Sequence, residues 1–174
     1  SQVGPLTRAE LNSWLAGSTP TTPTTPTTPT TPVPTGAGLT VMLASDNPAS
    51  GSVVDASALH PMMKLVFVNG DNAEVKVTGL KLKRIGVSAD ASAVNTYLFD
   101  GAQRLTDGAA VSTTVVNFNN SAGLFKVPAM GSVTISVLSN IDGAASETVG
   151  FQIVSAADVT TNASSVKGVY PISG

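Results

Sequence analysis

Polar and apolar side chains alternate in short runs over most of the chain. Ser132-Val133-Thr134-Ile135-Ser136-Val137 is the clearest case, with Val133, Ile135 and Val137 on one face and hydroxyls on the other. Comparable strand candidates are Leu39–Ala44, Met62–Val68, Thr96–Asp100, Thr114–Phe118, Leu124–Val127, Val149–Ser155 and Val166–Tyr170. Gly, Asn, Asp and Ser clusters separate them at the spacing of a sandwich or barrel. Across Ala73–Thr78 and Leu80–Val87 the alternation changes phase: Val75 and Val77 are odd, Leu80 and Leu82 even, and Gly79 sits at the break. A β-bulge shifts a period of two in this way. Asp100-Gly101 between Tyr97-Leu98-Phe99 and Arg104-Leu105 predicts a hairpin or bulged turn. Phe67, Phe118 and Phe151 fall inside apolar strands, as core residues do. The expectation for 36–174 is an all-β fold, an Ig-like antiparallel β-sandwich.

Residues 1–17 carry a different period. Thr7 and Glu10 have capping-box spacing, and Leu6 and Leu11 occupy the two positions of a hydrophobic staple. Ala9, Leu11, Trp14 and Leu15 then lie near one helical face, with Gly17 as the stop. The helix has about nine residues, below the roughly 12–15 at which an isolated helix persists in water. It therefore needs a surface to dock against. Residues 18–35 repeat Thr-Thr-Pro, with Pro20, Pro23, Pro26, Pro29 and Pro32 at intervals of three, followed by Pro34. Polyproline II has three residues per turn, so these prolines stack along one side of a semi-rigid rod. At about 3.1 Å per residue it spans roughly 55 Å. Such a rod serves either as a solvated, glycosylatable stalk or as a strut along a neighbouring subunit.

Composition narrows the function classes. Charged residues are 11% of the 174, against roughly 25% in ordinary soluble proteins. Ser and Thr, 19 and 21 residues, fill the gap. The resulting surface repels its own copies weakly. A net charge of −2 with no basic block argues against nucleic acid. The absence of Cys rules out disulfides and thiolate chemistry. No apolar run reaches 18 residues, so no helical membrane span is expected. The chain begins at Ser1 without Met or a signal peptide, which predicts a processed product or a fragment.

Candidate chemistry is sparse. His60, the single histidine, precedes Pro61 and is expected in an exposed loop rather than a catalytic triad. Glu10, Glu74 and Glu147 are too scattered to suggest a glycosidase pair. Aspartates recur before Gly or Asn, where turn geometry accounts for them. Asp100 and Asp107 are the calcium candidates among them, although no EF-hand or nonapeptide spacing is present. Lys76, Lys81, Lys83 and Arg84 form one basic cluster, suited to an anionic glycan or an acidic neighbour. The sequons at Asn119 and Asn162 are about as frequent as this much Ser and Thr produces by chance.

Two stretches carry resemblances. Val3-Gly4-Pro5-Leu6-Thr7-Arg8-Ala9-Glu10-Leu11 resembles the closing motif of the small helical peptidoglycan-binding repeat. Only the last helix of that repeat is matched, so no glycan groove comes with it. Most of 39–160 is similar to β-sandwich repeats of secreted, surface-layer-like proteins of small bacteria of the candidate-phyla type. The similarity rests on Ala44-Ser45-Asp46-Asn47-Pro48-Ala49-Ser50-Gly51, Val77-Thr78-Gly79-Leu80, Tyr97-Leu98-Phe99-Asp100-Gly101, Arg104-Leu105-Thr106-Asp107-Gly108 and Ile153–Thr160. It implies a non-enzymatic module outside the cell or on its surface, and supplies no catalytic residues.

The expected function is a structural subunit of an extracellular polymer, a fibre or a surface lattice. Its tail and linker (Leu6, Leu11, Trp14, Leu15 and the linker prolines) would dock on copies of itself. In a variant, Val166–Ile172 completes a neighbour's sheet. The alternative is a stalked adhesin or glycan-binding module in contact with the cell wall.

Overall fold

The computed structural model describes residues 32–174. The predicted tail helix, with Leu6, Leu11, Trp14 and Leu15, and the linker prolines Pro20, Pro23, Pro26 and Pro29 lie outside the described residues. Pro32 lies within them and is half-buried.

Twelve strands follow one another among the described residues: β1 (Leu39–Leu43), β2 (Ser57–Asn69), β3 (Val75–Ile85), β4 (Ala93–Asp100), β5 (Gln103–Arg104), β6 (Val115–Asn119), β7 (Phe125–Val127), β8 (Ser132–Ile141), β9 (Gly150–Ile153), β10 (Val159–Thr161), β11 (Val166–Lys167) and β12 (Ile172–Ser173). They form two sheets of an all-β sandwich. The first has the order β11-β1-β2-β8-β4-β5, antiparallel except for the parallel β1–β11 contact. In the second, β3 takes β6 and β7 along one edge and β10 and β9 along the other, with β12 outside β9.

Alternation explains the core. Leu65 and Phe67 of β2, Ile135 and Val137 of β8, Val41 of β1 and Leu98 of β4 point inward from the first sheet. Val75, Val77, Leu80, Leu82, Val116, Phe118 and Phe151 meet them from the second. Phe67 and Phe125 join the two sheets edge to face, with ring centroids 4.8 Å apart. Val66 and Val68 lie on the opposite face of β2 and form a small second cluster with Ala44.

The predicted phase change is present, but within one strand rather than two. β3 runs unbroken through Gly79, and its register against β10 shifts between Thr160 and Thr161. A Cβ at Gly79 would lie 2.9 Å from Thr160 Oγ1 and 3.1 Å from Asn119 Oδ1, so both flanking strands close over the glycine. The expected hairpin at Asp100-Gly101 also forms: Asp100 pairs with Gln103, and Gly101 has φ 56°.

Two expectations are corrected. Val166–Tyr170 is not one strand: Val166–Lys167 pairs with β1 of its own sandwich, and the chain then crosses so that Ile172–Ser173 pairs with β9 of the other sheet. Both ends of Val166–Ile172 thus pair within their own sandwich, so completing a neighbour's sheet would require this segment to leave it. His60 lies in β2 opposite Ser139, half-buried, not in an exposed loop. Register shifts on either side of Pro61 admit a residue that has no amide to donate.

Candidate interaction surfaces

Four places on the sandwich have chemistry beyond core packing. The first is where the Thr/Pro segment enters. Asp71 accepts bonds from the Gly38 amide (2.8 Å), the Ser164 hydroxyl (2.8 Å) and the Ser164 amide (3.0 Å). Lys167 Nζ donates to the Ala37 carbonyl at 2.7 Å. Gly36 crosses directly above Gly70, where a Cβ would come within 1.8 Å of the Gly36 oxygen. The entering chain is thus clamped at Gly36–Gly38.

The bonds from Ser164 and from the Gly38 amide hold the Asp71 carboxyl below the usual carboxylate range. The folded-state pKa is depressed, so the clamp is complete above the unfolded value and weakens as pH falls through the folded one. Asp71→Ala is expected to speed amide exchange at Gly38 and Ser164 at neutral pH. The wild type should show the same acceleration only in strong acid. Hydrogen-exchange mass spectrometry checks both, and unchanged exchange at Gly38 would contradict the clamp.

The second place is an apolar notch of about 680 Å³ beside β1. β11 pairs with β1 only at Leu39 and Thr40. Beyond Val41 the C-terminal segment diverges toward β12, and the outer edge of Met42–Leu43 has no strand partner among the described residues. In a strand, residues of alternate parity direct their amide and carbonyl to opposite sides. Ala44 donates toward β2, so Leu43, like Val41, turns its backbone groups outward. Met42 (37% exposed), Leu43 (36%) and Val169 (91%) gather here with Pro171 and Ile172, and Thr35 of the entering chain lines the same notch.

The third is the outer face of the second sheet. The bulge in β3 brings Lys76, Lys81 and Lys83 onto one side, alternating with the buried Val75, Val77, Leu80 and Leu82, and Lys126 of β7 lies directly opposite Lys76. Glu74 pairs with Lys126 at 2.9 Å. Arg84, expected in this cluster, is drawn away from it: its Nε meets Asp90 at 2.9 Å and Nη1 donates to Ser88 at 2.9 Å. Asp90 also accepts from the Thr114 amide, and these bonds hold its carboxyl low.

The fourth is a loop-lined cleft of about 790 Å³ containing Asp55, His60, Ser92 and Glu147. Its carboxylates serve the loops. Glu147 accepts from the Ser92 hydroxyl (2.7 Å) and the Ala144 amide (3.2 Å), and Asp55 from the Gly143 amide (3.1 Å).

Asp107, one of the two calcium candidates, faces Arg104 at 3.6 Å, and Asp100 lies at the adjoining hairpin. Among the described residues no cluster of three His, Asp or Glu is arranged to hold a metal ion. Nor is any described helix long and apolar enough to cross a membrane. The clamp and the notch had no local signal in the sequence, because their partners are far apart along the chain; the lysine face was partly visible through the phase change. Comparison with known families, curated proteins and solved structures gives no match.

Proposed function

We propose that this protein is a non-enzymatic structural subunit of an extracellular polymer, assembled by docking of its N-terminal arm on neighbouring copies. The observation that carries this reading is the contrast between domain and arm. The sandwich buries most of its large apolar side chains in one core, whereas Leu6, Leu11, Trp14 and Leu15 are expected on a helix too short to persist alone. The Thr-Thr-Pro repeat between them predicts a stiff rod, and the clamp at Gly36–Gly38 fixes the point where the chain following that repeat enters the domain. Contact between an arm and a different surface on the next copy is heterologous, and it propagates as an open fibre when it does not close into a ring. Trp14 is the expected hot spot of that contact.

The test is negative-stain microscopy of the purified chain beside Leu11→Ala/Trp14→Ala. Regular fibres or sheets are expected for the wild type. The double variant should remain monomeric, with the unfolding transition of its sandwich unchanged. Polymers that persist in the double variant would remove the arm from the mechanism.

A second reading, a stalked adhesin or glycan-binding module, is favoured by the lysine face of the second sheet. Monodisperse particles that bind an anionic cell-wall glycan in a salt-dependent way would support it instead.

A further inference from the structure

We infer that the notch beside β1 is the receptor for the N-terminal arm of a second copy. This rests on the polymer reading and adds to it the surface that receives the arm.

Three observations point to this occupant. First, the notch concentrates unburied apolar groups. Met42, Leu43 and Val169 are three of the ten large hydrophobic residues exposed among the described ones, and Val41, Pro171 and Ile172 complete its walls. At about 680 Å³ the notch is open to solvent and has room for a few apolar side chains. The sequence predicts such a group in Leu11, Trp14 and Leu15. Second, the root of the linker lines the notch at Thr35. A polyproline rod over 18–35, as the repeat predicts, reaches roughly 55 Å, far enough for the arm to meet a second copy. The arm is thereby offered to the notch of the next copy. Third, the charges do not oppose the contact: the arm carries one basic and one acidic side chain, Arg8 and Glu10, and the notch carries Lys167. A net charge of −2 over 174 residues gives little repulsion between copies.

The notch exists because the C-terminal segment leaves β1 after Lys167 to pair with β9. Had the parallel ladder continued along Met42–Leu43, the edge would be covered.

Mixing two full-length variants tests the inference. Leu11→Ala/Trp14→Ala keeps the notch and loses the arm. Met42→Asp/Val169→Asp keeps the arm and loses the notch. Val169→Asp alone, at a 91% exposed position, serves as the version least able to disturb folding. Trp14 is the only tryptophan, so in the mixture its emission reports solely on the arm of the notch variant.

Each variant alone should be monomeric. Together they should form a one-to-one complex that grows no further, with a blue shift of Trp14 emission. Fibres from the notch variant alone would overturn the inference. So would the absence of a complex and of a blue shift while the wild type forms fibres, and in either case the polymer reading would stand. A wild type that forms only small closed oligomers, with a mixture that still pairs, would overturn the polymer reading and leave the notch as the receptor. A monomeric wild type whose Trp14 emission is already blue-shifted at every concentration would place the arm within its own chain and overturn both.

Discussion

Phe67→Ala is expected to lower the stability of the sandwich by about 4 kcal/mol, within the range for removing a buried phenyl ring. Phe67 is fully buried on β2, opposite Val41 of β1 and Val133 of β8, and its ring meets Phe125 of the second sheet edge to face. Truncation therefore opens a cavity at the seam between the sheets and removes an aromatic pair as well as buried area. Domains of this size have roughly 5–15 kcal/mol in total, so the variant should unfold at a much lower denaturant concentration. Phe67→Leu, which conserves most of the volume, should cost less than about 1.5 kcal/mol. Urea titration of both variants against the wild type measures the difference. Equal midpoints for Phe67→Ala and Phe67→Leu would show that the seam collapses around the missing ring.

Asn69 carries the second large effect, through hydrogen bonds rather than volume. Its side chain is fully buried at the end of β2. Nδ2 donates toward the carbonyls of Ala73 (2.9 Å), Pro128 (3.0 Å) and Val127 (3.2 Å), and Oδ1 accepts from the Asp71 amide at 2.8 Å. One amide thus joins the turn after β2 to the turn after β7. Asn69→Ala leaves those groups without a partner, and a loss of about 3 kcal/mol is expected for several orphaned polar groups.

Asn69→Asp gives a sharper test. Its carboxylate would face carbonyl oxygens where an amide now donates, and burial adds to the penalty on the charged form. The folded-state pKa of that aspartate is then raised above its unfolded value. Its contribution is best retained below the unfolded pKa and is lost as pH rises through the folded one. The variant should therefore be more stable in mild acid than at neutral pH. Asp71 and Asp90 act in the opposite sense, since their depressed pKa values favour the fold above the usual carboxylate range. Thermal melts of Asn69→Asp between mild acid and neutrality check the sign. A flat or rising profile would contradict the donor role of the amide.

Little of this second site was legible in the sequence. Asp71-Asn72 reads as a turn, and the chain bends there between β2 and β3. Nothing local showed that Asn69 would be enclosed while Asp71, two residues on, would hold Ser164, which lies 93 positions away. Arg84 illustrates the same limit. Beside Lys81 and Lys83 it reads as part of one basic cluster, yet β3 places it next to Asp90, and the lysine face is completed instead by Lys126 of β7. The sequence placed His60 in a loop because Pro61 follows it. The sandwich absorbs both residues into β2 through shifts of register against β8.

By itself the sequence determined the all-β class, most of the strands, three of the four core phenylalanines and the phase change at Gly79. These follow from period-two alternation and from glycine, which are properties of neighbouring residues. It also set apart two N-terminal segments, 1–17 and 18–35, whose periods differ from the rest of the chain. The tertiary structure alone decided which strands pair, where the chain entering at Gly36–Gly38 is clamped, and that the C-terminal segment leaves β1 for β9 and opens the notch. Each of those outcomes depends on hydrogen bonds between residues tens of positions apart. A local pattern sets the face on which a side chain lies, but not the strand that will lie beside it.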